Sequence, residues 1–359
     1  MVNEARVGGM QRDSRLLREI YEQPQAIRRM LQNEAGRVEA ISRQLAAHEF
    51  AYALVAARGT SDNAARYGQY ILGAIDGLSV ALAAPSLFTR YHSPPRLAGA
   101  LVIGISQSGQ SPDITSVVEE GRRQGAPTIA ITNDLESPLA RAAEFHIGLG
   151  VGEERSVAAT KTYTAQLAAM ALLALSLKST PLQLGPLEAI PEALEEALAS
   201  EPQAQAAAQS LAACDHTVFI GRGFNYATAH EISLKCKELA NIQAEPYSSA
   251  DFLHGPIAMV DKGFPVNIVS MGDTFRDELD SLAADLHGRG ARLVTLGDRP
   301  VLGHVEGQDA FIPVPASLPE WLSPIAAILP GQLLAYHLAI ARGFDPDQPR
   351  SLRKVTLTR

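Results

Sequence analysis

The stretch Ile103-Gly104-Ile105-Ser106-Gln107-Ser108-Gly109-Gln110-Ser111-Pro112-Asp113 decides how the chain is read. Residues 100–105 are a short apolar run of strand type, and residues 114–121 read as the opening of a helix. Such a strand–turn–helix junction gathers backbone N–H groups at a helix N-terminus, where partial positive charge favours an anion. Ser106, Ser108 and Ser111 add three hydroxyls and Gln107 an amide, so the turn reads as a phosphate cradle without lysine or arginine. It matches neither Gly-x4-Gly-Lys-Ser/Thr nor Gly-x-Gly-x-x-Gly. A polar turn closed by a Ser or Asp helix cap fits the same residues, and the turn alone leaves both readings open.

Working outward, residues 51–56 read as a strand, and Arg58-Gly59-Thr60-Ser61-Asp62-Asn63 as a turn leading into a helix over 64–75. Further strands fall at 128–132 and 145–149, and a long helix at 158–177. Strands alternating with helices imply a parallel sheet covered on both faces. Ahead of them, residues 1–44 are charged and helix-forming, with Ile20, Ile27, Met30 and Leu31 at helical spacing. Residues 179–209 are rich in Pro, Ala and Glu and read as a helical linker.

After the linker the pattern starts again. Residues 216–220 read as a strand, and Gly221-Arg222-Gly223 echoes the turn at Arg58. Residues 264–269 echo the strand before the cradle, and Arg289–Asp298 echoes Gln124–Asn133. Ile105 to Ile131 is 26 residues, and Val269 to Leu296 is 27. Spacings this close point to two copies of one α/β unit. The second copy carries Ser270-Met271-Gly272-Asp273 where the first has Ser-Gln-Ser-Gly, and Asp273 would repel a phosphate.

Composition narrows the function classes. The chain has 359 residues, 46% apolar and 19% charged, with 28 Gly and 22 Pro, which suits globular domains rather than disorder. A net charge of −8 excludes a general affinity for nucleic acid or an anionic membrane. Cys214 and Cys236, the only cysteines, form no metal spacing and no disulfide framework. A cytoplasmic protein is expected, with no signal peptide and no membrane span. The most apolar long stretch found, 165–177, is too short to span and reads as a buried helix.

Four motifs in order resemble the sugar-isomerase (SIS) domain family, in tandem. They are Arg-Gly-Thr-Ser at 58–61, Ser-Gln-Ser-Gly at 106–109, Val-Ala-Ala-Thr-Lys at 157–161, and a block over 231–256. That block holds Glu231, Lys235, Glu238, Ala244-Glu245 and His254-Gly255-Pro256, and the C-terminal Pro349–Thr356 completes the likeness. The resemblance is closest to the isomerase half of glutamine–fructose-6-phosphate aminotransferase. That enzyme's glutaminase half begins with a nucleophilic cysteine after Met, whereas this chain starts Met1-Val2-Asn3, so that half is expected to be missing. The family's Val-Ala-Ser-Thr-Lys also appears here with Ala159 in place of serine. Both departures resemble stand-alone glucosamine-6-phosphate deaminases of the SIS type.

The resemblance implies roles residue by residue. Ser106, Gln107, Ser108 and Ser111 match phosphate-binding positions, and Gly59, Thr60, Ser61, Val157 and Ala158 match positions near the sugar. Glu238 matches the carboxylate base, sharing a helix face over 229–242 with Glu231 and Lys235, its expected orienting partners. A solvated salt-bridge ladder fits that spacing equally from pattern alone. His254 matches the histidine that opens the sugar ring across a dimer interface, where an imidazole can shuttle a proton. Lys354 matches the family's Schiff-base lysine, with a binding role the expectation here.

The implied fold is α/β: two tandem doubly wound parallel-sheet domains of flavodoxin-like type, with the active site in a cleft and the phosphate on the first domain. The expected divisions are an N-terminal helical segment at 1–34, SIS domains at 35–180 and 210–345, a linker at 181–209, and a tail at 346–359 closing the site. The implied function is hydrolytic deamination of glucosamine 6-phosphate to fructose 6-phosphate and ammonia, by a homodimer with shared sites and without metal or cofactor. The alternatives are an aminotransferase-related isomerase, a deaminase or deglycase of another amino-sugar phosphate, and a non-catalytic sugar-phosphate sensor.

Overall fold

The computed structural model describes residues 14–178, 181–305 and 309–354. The helical expectation for residues 1–13 and the last residues of the tail, 355–359, therefore lie outside the described residues. Two compact units divide the chain. One comprises Gln25–Glu154, Lys161–Glu188 and Arg353–Arg359; the other comprises Met1–Pro24, Arg155–Thr160 and Ala189–Leu352. Helix α1 (Arg15–Tyr21) goes with the latter. Nearly all of α2 (Gln23–Leu45) goes with the former, running through residue 34 without a break.

In the first unit, strands β1 (Tyr52–Ala56), β2 (Ser79–Leu82), β3 (Ala100–Ile105), β4 (Thr128–Thr132) and β5 (Phe145–Gly148) form one parallel sheet in the order β2-β1-β3-β4-β5. Every position of β3 and β4 is buried, which is why their apolar runs are unbroken. Helices α3 (Thr60–Asp76), α4 (Pro112–Arg123) and α5 (Lys161–Lys178) belong to the same unit. Ser42 on α2 donates to the Ser176 carbonyl of α5 at 2.7 Å, and the Gly148 N–H of β5 donates to Glu34 at 3.0 Å. From β1 the chain passes to β2 on one side and from β3 to β4 on the other. The loops after β1 and β3 therefore part at the strand C-termini, the place where open parallel sheets leave a crevice.

The second unit repeats the topology. Its helices are α6 (Ile190–Leu198), α7 (Glu201–Leu211), α8 (Tyr226–Ala240), α9 (Ser249–Leu253), α10 (Arg276–Gly288) and α11 (Ser323–Ala341). Strands β6 (His216–Gly221), β7 (Gln243–Ser248), β8 (Pro265–Ser270), β9 (Arg292–Gly297) and β10 (Ala310–Pro313) run in the order β10-β9-β8-β6-β7. The spacing that suggested a repeat has a direct cause in the sheets. Ile105 pairs with Ile131 and Val269 pairs with Leu296, as Cα partners on adjacent parallel strands. Both units thus have the expected doubly wound α/β fold.

Three strands, β2, β7 and β10, escaped the sequence reading, and all three are sheet edges. Edge strands bury one side less completely and carry a weaker apolar signal; β7 even holds Pro246, which an edge tolerates. Residues 181–209, read as a helical linker, supply α6 and most of α7, whose Ile190, Leu194, Ala204, Ala207 and Leu211 are buried. Helix α11 was also missed, and the segment Glu320–Ala341 is apolar and long enough to cross a membrane by length and composition. Most of it, 89% of its apolar window, is buried inside the protein, so it is a central helix apolar on all sides. Gly331 on α11 lets α8 approach closely, since a Cβ there would lie 2.4 Å from Ile232.

Candidate functional site

The cradle sits where the strand order predicts a crevice. Ser106 follows β3 directly and is buried, and its hydroxyl accepts the Gly109 N–H at 3.1 Å. The Gln107 carbonyl accepts from Asn133 N–H and from the Thr132 hydroxyl, pinning the turn to the end of β4. Gly109 has φ +62°, and a Cβ there would lie 2.1 Å from Ser137 Oγ, so the turn needs a glycine. Ser111 occupies the N-cap of α4, yet its side chain makes no capping hydrogen bond. The simple-cap reading therefore fails for Ser111, and its half-buried hydroxyl is not used by the helix.

The loop after β1 lies beside it. Gly59 caps α3 at a positive φ (+54°) with open space over its Cα, and Thr60 and Ser61 begin the helix. Ser61 is buried, and its hydroxyl accepts from Gln166 Nε2 at 2.9 Å, which leaves the O–H free to donate elsewhere. Arg58 reaches over to the first turn of α4, where its Nε lies 2.8 Å from Asp113 Oδ2. The turn itself holds no lysine or arginine, as read from the sequence, but an arginine of the neighbouring loop flanks it.

In the second unit the corresponding turn is occupied by its own acids. Asp298 accepts the Gly272 N–H at 3.1 Å and pairs with Arg276 at 2.5 Å, while Glu320 accepts from the Thr274 hydroxyl. Asp273 pairs with Arg299 at 2.6 Å. Carboxylates crowd the position a phosphate would take.

What the second unit does present is a carboxylate on α8. Lys235 Nζ lies 2.5 Å from Glu238 Oε2 and 3.4 Å from Glu231 Oε1. The side chains of Glu231 and Lys235 are 0% and 1% exposed, whereas Glu238 is 24% exposed. The ladder is therefore not a solvated face. It is a buried ion pair that ends in one carboxylate reaching solvent, and the buried charges are tolerated because they are paired. Cys236 on the same helix is fully buried, and burial pushes its thiol up to about 12, so it is no nucleophile.

The remaining expected residues fall in separate places. His254 follows α9 and is exposed, in a path set by Gly255 and Pro256 and by Ser248 capping α9 through the Asp251 N–H. Val157 and Ala158 belong to the second-sheet unit rather than the cradle's. Their segment is held by Glu19, which accepts the Arg155 and Ser156 N–H groups at 2.6 and 3.2 Å. Lys354 belongs with the cradle's unit and lies 2.8 Å from Glu154 Oε2. Glu154 is fully buried and also accepts from the Thr162 N–H and hydroxyl at 3.1 and 2.7 Å. Sequence reasoning missed Arg58, Asp113, Glu154 and Gln166 as parts of these clusters. Arg58 opens the quoted Arg-Gly-Thr-Ser motif and could have been found; the partners of the others stand too far away in sequence to leave a pattern.

Comparison with known proteins accords with this geometry. The SIS domain model matches residues 52–176 and 210–342. Glutamine–fructose-6-phosphate aminotransferase (isomerizing) of Gloeobacter violaceus is 37% identical over 356 residues, covering 94% of this chain and 58% of that protein. The chain thus spans little more than half the length of that curated relative. The C-terminal domain of glucosamine-fructose-6-phosphate aminotransferase from Francisella tularensis matches with a TM-score of 0.84 at 29% identity, over 94% of this chain and 98% of that one. Glucosamine-6-phosphate deaminase from Thermotoga maritima shares the fold, with a TM-score of 0.76 at 24% identity over 96% of this chain and 100% of that one. With one matched region on each of its two sheets, this chain belongs to the SIS-domain family.

Proposed function

We propose that the protein is a sugar-phosphate enzyme that converts glucosamine 6-phosphate and water to fructose 6-phosphate and ammonia. The observation that carries the reading is the buried Glu231–Lys235 pair holding Glu238 at the surface of α8. A fixed carboxylate is what proton transfer between adjacent carbons of an open-chain sugar requires. Ser106, Gln107, Ser108 and Ser111, with Gly59, Thr60 and Ser61, hold the phosphate and neighbouring hydroxyls. His254 moves a proton to and from the ring oxygen to open the sugar. Glu238 takes the proton from C2 and returns it to C1, leaving an imine at C2. Water adds there, the C–N bond breaks, and ammonia leaves. Lys354 binds the substrate, and Val157 and Ala158 pack near the sugar.

In this reading residues 35–180 are the phosphate-binding domain, residues 210–345 carry the base, and 346–359 close the site. The working form is a cytoplasmic homodimer in which His254 serves the partner copy. The exposure of His254, flanked by Leu253 and Met259 at 48% and 47%, supports that assignment. The test is ammonia release measured over a panel of amino-sugar 6-phosphates, including the glucosamine and galactosamine epimers. A second reading, isomerisation without loss of nitrogen, draws on the names of the aminotransferase relatives. Interconversion of fructose and glucose 6-phosphates with no ammonia from any amine would favour it. Binding without turnover would mark a sensor.

A further inference from the structure

We infer that Arg58 is the cation of the phosphate subsite, with Asp113 the residue that positions it; this rests on the phosphate reading of the Ser106–Ser111 turn. The backbone at the start of α4 is poorer in donors than a bare helix N-terminus. Pro112, its first residue, has no N–H. The Ile114 N–H is occupied by Asp113 Oδ1 at 3.0 Å. In the turn itself, the Gly109 and Gln110 N–H groups are occupied by the Ser106 and Ser108 hydroxyls, at 3.1 and 3.3 Å. The first turn also contains a carboxylate, Asp113, only 2% exposed, which opposes any anion placed there. A positive group beside this turn would therefore hold a dianionic phosphate more firmly than the hydroxyls and the helix dipole alone.

Arg58 answers both demands. Its Nε–H donates to Asp113 Oδ2 at 2.8 Å, which offsets the buried carboxylate and fixes the plane of the guanidinium. A guanidinium has five N–H donors. The four on its terminal nitrogens make no further hydrogen bond among the described residues, and half of the side chain is exposed. Arg58 also lies between the two loops that part at the crevice, following β1 and bonded to the first turn after β3. A fork held by one edge on the first turn of α4, with its other edge open, suits bidentate phosphate binding.

The alternative is that Arg58 serves only as the counter-ion of Asp113, and a double substitution separates the two. Affinity for glucitol 6-phosphate, an open-chain analogue that cannot react, is measured by calorimetry on the full chain, with KM and kcat for glucosamine 6-phosphate alongside. Arg58→Gln should weaken glucitol 6-phosphate by about tenfold to a hundredfold, as expected for a lost bond to a charged group, and raise KM while kcat changes little. Arg58→Lys, which keeps the charge without the fork, should recover part of the affinity. Arg58→Gln with Asp113→Asn should remain weak, because removing the buried carboxylate does not replace the lost ligand. Parental affinity in that double variant would assign Arg58 to charge balance and overturn the inference, as would parental affinity in Arg58→Gln alone. If Arg58→Gln does not fold, the Lys and double variants decide the matter by the same criteria. A parent protein that binds neither glucitol 6-phosphate nor inorganic phosphate overturns the phosphate reading itself. A parent that binds while Arg58→Gln binds equally overturns only the role of Arg58.

Discussion

Lys354 donates to Glu154 at 2.8 Å across 200 positions of sequence, onto a carboxylate with no solvent exposure. The same carboxylate accepts twice from Thr162 in the first turn of α5, so one buried acid ties the tail to that helix. Removing one partner of a buried pair costs about 3–5 kcal/mol, less where the other partner is partly exposed, as Lys354 is. Glu154→Gln can keep the contacts to Thr162 while losing the ion pair. Trypsin should then cut after Lys354 faster than in the parent, read by mass spectrometry, and KM for the sugar phosphate should rise. An unchanged cleavage rate would show that other contacts hold the tail.

For Glu238 the expectation is a split between binding and turnover. Glu238→Gln keeps the shape and removes the base, and general-base catalysis is worth roughly 10²–10⁴-fold. Ammonia release should slow by about that factor while glucitol 6-phosphate still binds. Deamination at the parental rate would leave Glu238 as no more than the exposed end of the Glu231–Lys235 ladder.

Gly109→Ala tests the turn. The left-handed backbone costs a non-glycine residue about 1–3 kcal/mol, and the added Cβ would meet Ser137, which is fully buried and caps its own short helix. The variant should melt lower than the parent and bind glucitol 6-phosphate more weakly. A melting temperature and affinity equal to the parent's would show that the turn adopts another conformation.

Asp76 gives a pH dependence outside the site. It is the last residue of α3, its Oδ2 has no hydrogen-bond partner among the described residues, and burial raises its carboxyl to about 7 against an opposing effect of Lys178. An anion at a helix C-terminus is also disfavoured by the dipole. The unfolded chain releases this proton near the ordinary 3.8, so the folded state binds more protons between there and about 7. The stability it contributes is present below about 3.8 and is lost as pH rises through about 7. Asp76→Asn should therefore melt higher than the parent at pH 8, with the gap narrowing toward pH 4. A gap that does not change with pH would exclude this titration as its cause.

The sequence by itself determined what is local. Unbroken apolar runs marked the central strands, since positions buried on both faces of a parallel sheet leave no alternation. The equal steps from Ile105 to Ile131 and from Val269 to Leu296 revealed the repeat, because both pairs are neighbours in their sheets. Helical spacing placed Glu231, Lys235 and Glu238 on one face. Tertiary structure alone decided which of those three charges sees water, because exposure depends on what packs against α8. It alone revealed β2, β7 and β10, whose edge positions thin out the apolar signal. It also decided the partners of Arg58 and Lys354, 55 and 200 residues away. Contacts at such separations are set by how the strands and helices come together, and leave no period or spacing in the chain to be read.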